Sequence, residues 1–304
     1  MLTFAGFMEL ALYHPQLGYY CQNRKRVGYD RGTDFYTAST SGPIFGELVA
    51  AACVSLLGGE AQAGTCTFVE IGAEPDGGVL AGVRHPFSDV RTVLLGEPLK
   101  IEGRCIVFSN ELFDAQPLRR FVRRRGAWFE LGVRLTEGEL AEFELEGAVV
   151  EHWLPSEAPE GYVFDAPKAA AQLLQTLADQ PWTGLFVAFD YGKSFLELAT
   201  ATPAGTTRAY FQHKQSNDLL ARPGEQDLTG HVCWDWLSDT LTGSGFKKPA
   251  LESQEAFFIH HAGDFLSQTL AQEANRASQR KLALMQLLHP ANLGQKFQVL
   301  HARR

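Results

Sequence analysis

Cysteine is scarce in this 304-residue chain, and its five residues (Cys21, Cys53, Cys66, Cys105 and Cys233) form no C-x-x-C pair. The odd, scattered set argues against both a disulfide framework and a thiolate zinc site, and it fits free thiols in a reducing compartment. A cytoplasmic location is therefore expected. Long apolar runs are missing as well, since no stretch approaches the roughly 18 residues of a membrane span. The opening "MLTFAGFMELALY" lacks a basic n-region and is interrupted by Glu9, so it reads as an amphipathic helix rather than a signal peptide, and no membrane insertion is expected. Positive charge is short too: 27 Lys and Arg face 35 Asp and Glu, for a net charge of -8. That balance argues against nucleic acid as a partner. The one basic run, "RRFVRRRG" (Arg119 to Gly126), interleaves apolar residues with arginines and reads as a solvated strand face. Internal repeats, low-complexity tracts and linkers are all absent, so one compact unit with insertions is expected.

What is present is a series of short apolar runs bounded by glycine, the pattern of strands buried on both faces. They are "CTFVEIG" (66–72), "VRTVLLGE" (90–97), "RCIVFSNE" (104–111) and "GLFVAFDYG" (184–192). Helices are expected over about Phe4 to Tyr13, and from Ser41 to Pro43 through "IFGELVAAACVSLL", where Ser41 can cap and Pro43 suits a first turn. Further helices are expected in "APKAAAQLLQTLADQ", "EQDLTGHVCWDWLSDTL" and "DFLSQTLAQEANRASQRKLALMQLL", and strands in "TTRAYFQHK", "PALESQEAFFIHH" and "GQKFQVLHARR". From Leu118 to Val150 the apolar period becomes two, with turn signals at Arg125-Gly126 and Glu137-Gly138, which predicts an antiparallel insert of hairpins. Strands separated by helical patterns predict an α/β doubly wound, Rossmann-like sheet, in which ligands sit outside the carboxyl ends of the strands. The single domain divides into an N-terminal helical cap (1–60), the first half of the sheet (61–117), the β insert (118–165) and the second half of the sheet (166–304), with a helical insertion near 205–240.

In that architecture the informative residues follow the buried strands: Glu70 and Gly72, Glu97, Asn110 and Glu111, and Asp190. The turn "VEIGAEPDGG" (69–78) has the outline of a nucleotide-binding loop, and a helix N-terminus there would normally draw an anion. Glu74 and Asp76 repel a pyrophosphate, and Pro75 removes an N–H donor. S-adenosylmethionine (SAM) carries a sulfonium and no phosphate, so an acidic turn suits it, and a strand-end acid can hold its ribose hydroxyls.

Several longer motifs then agree. "SNELFDAQPLRRF" (109–121), "GTDFYTAS" (32–39), "FGELVA" (45–50), "ELALYHPQLGYY" (9–20), "FDYG" (189–192) and "GTTRAYFQHK…ARPGEQDLTGHV" (205–232) together resemble the MidA-like family over nearly the whole chain. The stretch from Pro223 to Thr229 is its most specific part. The resemblance implies a class I methyltransferase-like fold, S-adenosyl-L-methionine as cofactor, and a protein substrate or partner, since mitochondrial members are linked to protein arginine methylation during respiratory complex I assembly. A homodimer is compatible with this.

The chain departs from the family in two places. The family's first glycine motif resembles E-x-G-P-G-R-G-T, whereas here Ala73, Glu74, Pro75 and Asp76 separate Gly72 from Gly77 and Gly78. Asn110 also lies only 38 residues after Gly72, while each strand-helix-strand crossover needs about 30, so one strand-helix unit is missing. Glu97, 25 residues after Gly72, either replaces the ribose-binding acid or simply ends the next strand. The cofactor-binding set is thus Asp34, Tyr36, Glu70, Gly72, Gly77, Glu97 and Asn110. Glu111, Asn110 and Asp114 are the catalytic candidates, with a turn cap before Pro117 as the other role for Asp114. Asp190, Gln226, Asp227 and His231 are candidates for the substrate side, Asp227 alternatively capping a helix. His260 and His261 have no third ligand at metal spacing, so no metal site is expected. Two functions follow: a SAM-dependent methyltransferase acting on a protein side chain such as arginine, with Glu111 as the proton-accepting carboxylate, or a degenerate family member acting as a protein-binding or assembly factor.

Overall fold

The computed structural model describes residues 1–22, 26, 28, 33–34, 41–74, 77–274 and 278–304. The chain divides into two units assembled from interleaved stretches. A sheet unit takes Tyr36–Leu112, Leu174–Tyr191 and Ser238–Arg304; an insert unit takes Met1–Phe35, Phe113–Leu173 and Gly192–Leu237.

The sheet unit holds a six-stranded sheet in the order Lys247–Ser253, Gln298–Arg303, Trp182–Asp190, Gly103–Asn110, Thr67–Ile71, Asp89–Val93. The last four are mutually parallel, and Gln298–Arg303 runs antiparallel to both of its neighbours. The expected Rossmann-like sheet is therefore present. Among the described residues only Asp89–Val93 lies as a strand between Thr67–Ile71 and Gly103–Asn110 in sequence, as the 38-residue spacing requires. That strand is shorter than "VRTVLLGE" suggests: it stops at Val93, ahead of Gly96 and Pro98, so Glu97 sits in a turn.

Alternation along the strands points Phe68, Ile106, Phe108, Leu185, Val187, Phe189 and Val299 to one face. There they pack on helices Pro43–Leu57, Gln254–His261, Gly263–Glu273 and Gln279–Leu288. Phe45, Phe108, Phe257 and Phe258 surround Phe189 with ring centroids 5.4 to 5.8 Å from it. Each fully buried ring contributes about 1.5–3 kcal/mol. The Pro43–Leu57 helix ends at Gly58 and Gly59 as expected, with their N–H groups donating to Ser55 and Val54 carbonyls. Its N-cap is Gly42 with no side-chain hydrogen bond, not Ser41.

The antiparallel insert is also present. Arg119–Arg124, Ala127–Thr136 and Glu139–Glu144 form successive hairpins through the predicted turns, joined by Val163–Ala166 and the N-terminal Leu2–Thr3. The basic run is not simply solvated. Arg119 forks onto Glu130 at 2.9 and 2.7 Å, and buried Arg120 meets Asp165 at 2.8 Å and Glu142 at 3.0 Å. Two segments expected as single elements are divided. "EQDLTGHVCWDWLSDTL" forms strands Asp227–Thr229 and Val232–Cys233 before helix Trp234–Gly243, because β-branched Thr229 and Val232 flank the breaker Gly230. "PALESQEAFFIHH" ends its strand at Ser253, whose hydroxyl accepts from Ala256 N and starts helix Gln254–His261. Among the described residues no helix is long and apolar enough to cross a membrane.

Candidate functional site

The predicted site residues fall into two groups, one in each unit, and Tyr36 lies outside the described residues. At the carboxyl ends of the parallel strands of the sheet unit stand Glu70, Gly72, Gly77, Glu97, Asn110, Glu111 and Asp190. Asp34, Asp114, Gln226, Asp227 and His231 belong to the insert unit.

Glu70 shares a sheet face with Thr92, its register partner, and is 7% exposed. Its Oε2 accepts the Val79 N–H at 2.7 Å, so the carboxyl ties the turn that follows the strand back onto the strand's own end. A Cβ on Gly78 would fall 2.4 Å from that oxygen, so a side chain there would displace the carboxyl. Burial pushes the Glu70 carboxyl up to about 7, and the Val79 N–H offsets only part of the rise. Gly72 has φ +76, donates its N–H to Val93 O, and would place a Cβ 2.8 Å from Leu112 Cδ1. Gly77 continues the turn at φ +128. Glu97 lies beyond Val93, at the same sheet end as Gly72; its Oε2 accepts from Leu94 N at 2.8 Å and its side chain is exposed.

The folded Glu70 pKa lies above the ordinary carboxylate value of 4.5, so the folded state keeps a proton that the unfolded chain releases. Stability thus falls as pH rises from about 4.5 to about 7. Glu70→Gln, which stays neutral, is expected to remove on the order of 1–3 kcal/mol of that pH dependence. Urea denaturation of both proteins at pH 5 and pH 8 checks this; an unchanged difference between the two pH values contradicts it. Comparison with wild type is needed because Asp227, also raised by burial to about 7, has the same sign, while His231, lowered by burial to about 4, has the opposite one.

One strand over, Glu111 follows the strand Gly103–Asn110 with a left-handed φ of 52, a conformation that costs a non-glycine residue about 1 kcal/mol or more. The backbone is held there by Glu111 N donating to Phe189 O at 2.9 Å. Asn110 Nδ2 donates to Glu111 Oε1 at 3.1 Å, and the Tyr191 hydroxyl to Oε2 at 2.8 Å. Tyr191 packs on Phe297, ring centroids 4.2 Å apart. Asp190 is fully buried, and its Oδ1 accepts from Tyr191 N. Asn110 Oδ1 is buried and, among the described residues, accepts no hydrogen bond. Such an acceptor is costly to bury without a donor. Sequence reasoning missed Tyr191, although the strand-end "FDYG" contained it.

The insert-unit group is woven into structure. Asp34 accepts from the Tyr19 hydroxyl at 2.8 Å and Gln212 N at 2.9 Å, and Asp227 accepts from the Tyr20 hydroxyl at 2.9 Å. Asp227 lies on a strand, so it does not cap a helix. Asp114 is buried, and its carbonyl accepts from Gly230 N. Gln226 donates to the carbonyls of Asp218 and Leu219, and His231 N donates to Thr206 Oγ1. Burial raises Tyr13 and Tyr20 well above the ordinary phenol value, with Asp227 adding to the rise. These tyrosines lie in "ELALYHPQLGYY", which hinted at them only as a motif.

The histidine expectation also needs correcting. His260 and His261 end a helix rather than a strand, Glu252 meets both, and His301 stands beside His261.

A family model described as "Putative S-adenosyl-L-methionine-dependent methyltransferase" matches residues 90–250, more than half of the chain. The chain is 23% identical to the Danio rerio protein named protein arginine methyltransferase NDUFAF7, mitochondrial, covering 98% of this chain and 82% of that protein. It is 22% identical to its Xenopus laevis namesake, covering 97% and 79%. A crystal structure of a candidate methyl transferase from Burkholderia thailandensis, bound to S-adenosyl-homocysteine, superposes with a TM-score of 0.86 at 25% identity over 100% of this chain and 88% of that one. With the strand order and the strand-end carboxylates above, these likenesses show that the chain belongs to the MidA-like family of S-adenosyl-L-methionine-dependent methyltransferases.

Proposed function

We propose that this chain binds SAM at the carboxyl ends of Thr67–Ile71, Asp89–Val93 and Gly103–Asn110 and methylates a nitrogen of a protein side chain, with arginine the first acceptor to test because the relatives are named for it. The observation that carries this reading is the Glu111 carboxylate, held by Asn110 and Tyr191 beside the unmatched acceptor Asn110 Oδ1.

The donor set fits the cofactor. Glu97 offers a carboxylate to ribose hydroxyls, Asn110 Oδ1 accepts an N–H, and the Gly72 turn allows close backbone approach. SAM supplies, when bound, a methyl group on a positively charged sulfur. The protein aligns the acceptor nitrogen with that methyl and keeps the two in line. Glu111 would take the proton that the acceptor nitrogen gives up when it is methylated. A carboxylate has about four acceptor positions, so Glu111 can hold Asn110, Tyr191 and an acceptor N–H at once. The five free cysteines support placing this activity in a reducing compartment such as the cytoplasm.

Calorimetry with SAM and S-adenosyl-homocysteine tests the reading. Micromolar affinity, about -8 kcal/mol, is expected, and Glu97→Ala is expected to weaken it about tenfold, as loss of a charge-assisted hydrogen bond does. An absence of binding at millimolar ligand would refute the enzyme and favour an assembly factor that uses the same surface for a protein partner. Full affinity in Glu97→Ala would remove only the ribose role.

A further inference from the structure

At the edge of the sheet, three elements bring four chemically related side chains together. Glu252 is the penultimate residue of strand Lys247–Ser253, His260 and His261 end helix Gln254–His261, and His301 lies on the paired strand Gln298–Arg303. Glu252 Oε1 stands 2.8 Å from His261 Nε2 and 3.0 Å from His301 Nε2. His260 Nδ1 lies against the other carboxylate oxygen. One donor atom each from Glu252, His261 and His301 falls within 4.8 Å of the others.

The imidazoles are preset by packing. Phe257, fully buried, lies 5.1 Å from the His261 ring and 5.4 Å from the His301 ring, and the two imidazoles are 5.1 Å apart. His301 is 8% exposed, whereas the His260 side chain is 60% exposed and leaves an approach from solvent. Two nitrogens converging on one carboxylate oxygen need a proton on each to be held as hydrogen bonds. A divalent cation replaces those protons with one centre and uses all three lone pairs. Tetrahedral zinc, with ligands at about 2.0–2.2 Å, sets donor atoms about 3.3 Å apart, so Glu252 Oε1, at 2.8 and 3.0 Å from the two imidazole nitrogens, would open from each by only a few tenths of an ångström.

We propose that Glu252, His261 and His301 form a binding site for a zinc-class divalent cation, with His260 placed to complete the coordination. Two imidazoles and a carboxylate are a donor set suited to zinc and unsuited to calcium or magnesium. The ion clamps the end of the helix to two strands that pair antiparallel. This site is built from residues that the methyl-transfer site does not use, and it adds stability to the sheet unit.

The test uses the full-length, untagged chain, stripped with chelator and titrated with zinc chloride. One zinc per chain is expected, with a thermal midpoint several degrees higher on loading. His301→Gln and Glu252→Gln are each expected to weaken binding at least tenfold. Because His301 is buried, the more exposed His261→Gln serves as the second variant, with circular dichroism showing that each protein is folded. Cobalt loading gives a second readout: visible bands of a tetrahedral N/O site support the assignment, whereas an intense thiolate-to-metal charge-transfer band places the ion on cysteines and overturns it. Failure of the folded wild type to bind zinc stoichiometrically, or binding untouched by all three substitutions, overturns it as well, and neither result bears on SAM binding.

Discussion

Glu111→Gln is expected to slow methyl transfer to an identified protein acceptor by about 10²–10⁴-fold while leaving S-adenosyl-homocysteine affinity within about threefold, since the carboxylate acts on the acceptor's proton. Glutamine keeps the shape, and its carbonyl oxygen still accepts from Asn110 Nδ2 or the Tyr191 hydroxyl, now 3.1 and 2.8 Å from the carboxylate. It lacks the negative charge and the basicity to take a proton. Single-turnover rates with saturating SAM, compared with calorimetric binding of the product, separate the two effects. A variant with the wild-type rate would remove Glu111 from its assigned role. Loss of cofactor affinity together with rate would make it a binding residue.

The second large effect is expected from Gly46→Ala, a substitution that changes no charge. Gly46 lies on the buried side of helix Pro43–Leu57, and a Cβ there would fall 2.0 Å from the Val79 carbonyl oxygen. Val79 is the residue whose N–H closes the turn onto Glu70. The contact is with backbone, so no side-chain rotation relieves it; either the helix or the turn must shift. Overpacking of this kind costs about 1–3 kcal/mol or more, and the displacement falls on the segment that must approach the cofactor. The expected result is a lower denaturation midpoint together with S-adenosyl-homocysteine affinity weakened at least tenfold, roughly 1.4 kcal/mol. A destabilised Gly46→Ala protein that bound the product normally would show that the helix yields and the turn does not depend on it.

Much of this was legible in residues. The glycine-bounded apolar runs located four parallel strands, three of which are largely buried and so cannot alternate with polar residues; Asp89–Val93, expected to be buried like them, is instead the largely exposed edge strand. The 38-residue interval excluded a second crossover on length alone, and the period of two from Leu118 marked the hairpins. Errors arose where local patterns gave two answers. "PALESQEAFFIHH" holds both a strand and a helix, and only the Ser253 cap and its tertiary packing set the boundary. Glu97 looked like a strand end, but its own carboxylate closes a turn on Leu94 N. The arginine run looked solvated because the acids that neutralise Arg120, Glu142 and Asp165, lie 22 and 45 residues away in sequence.

The site divides along the same line. The types and strand-end positions of Glu70, Asn110, Glu111 and Asp190 follow from one sequence, because strand periodicity determines which residues come last in a buried run. Sequence alone also supplied the family, through motifs spread from Glu9 to Val232. It could not show that Tyr191 would meet Glu111, that Glu70 would turn back to hold Val79, or that Asp34 and Asp227 would be bound by Tyr19 and Tyr20. Nor could it bring Glu252 and His301, 49 residues apart, together beside His261. Periodicity and caps act over a few residues and are encoded locally. Partnerships between distant side chains depend on strand order and register, which are determined only when the whole hydrophobic core closes.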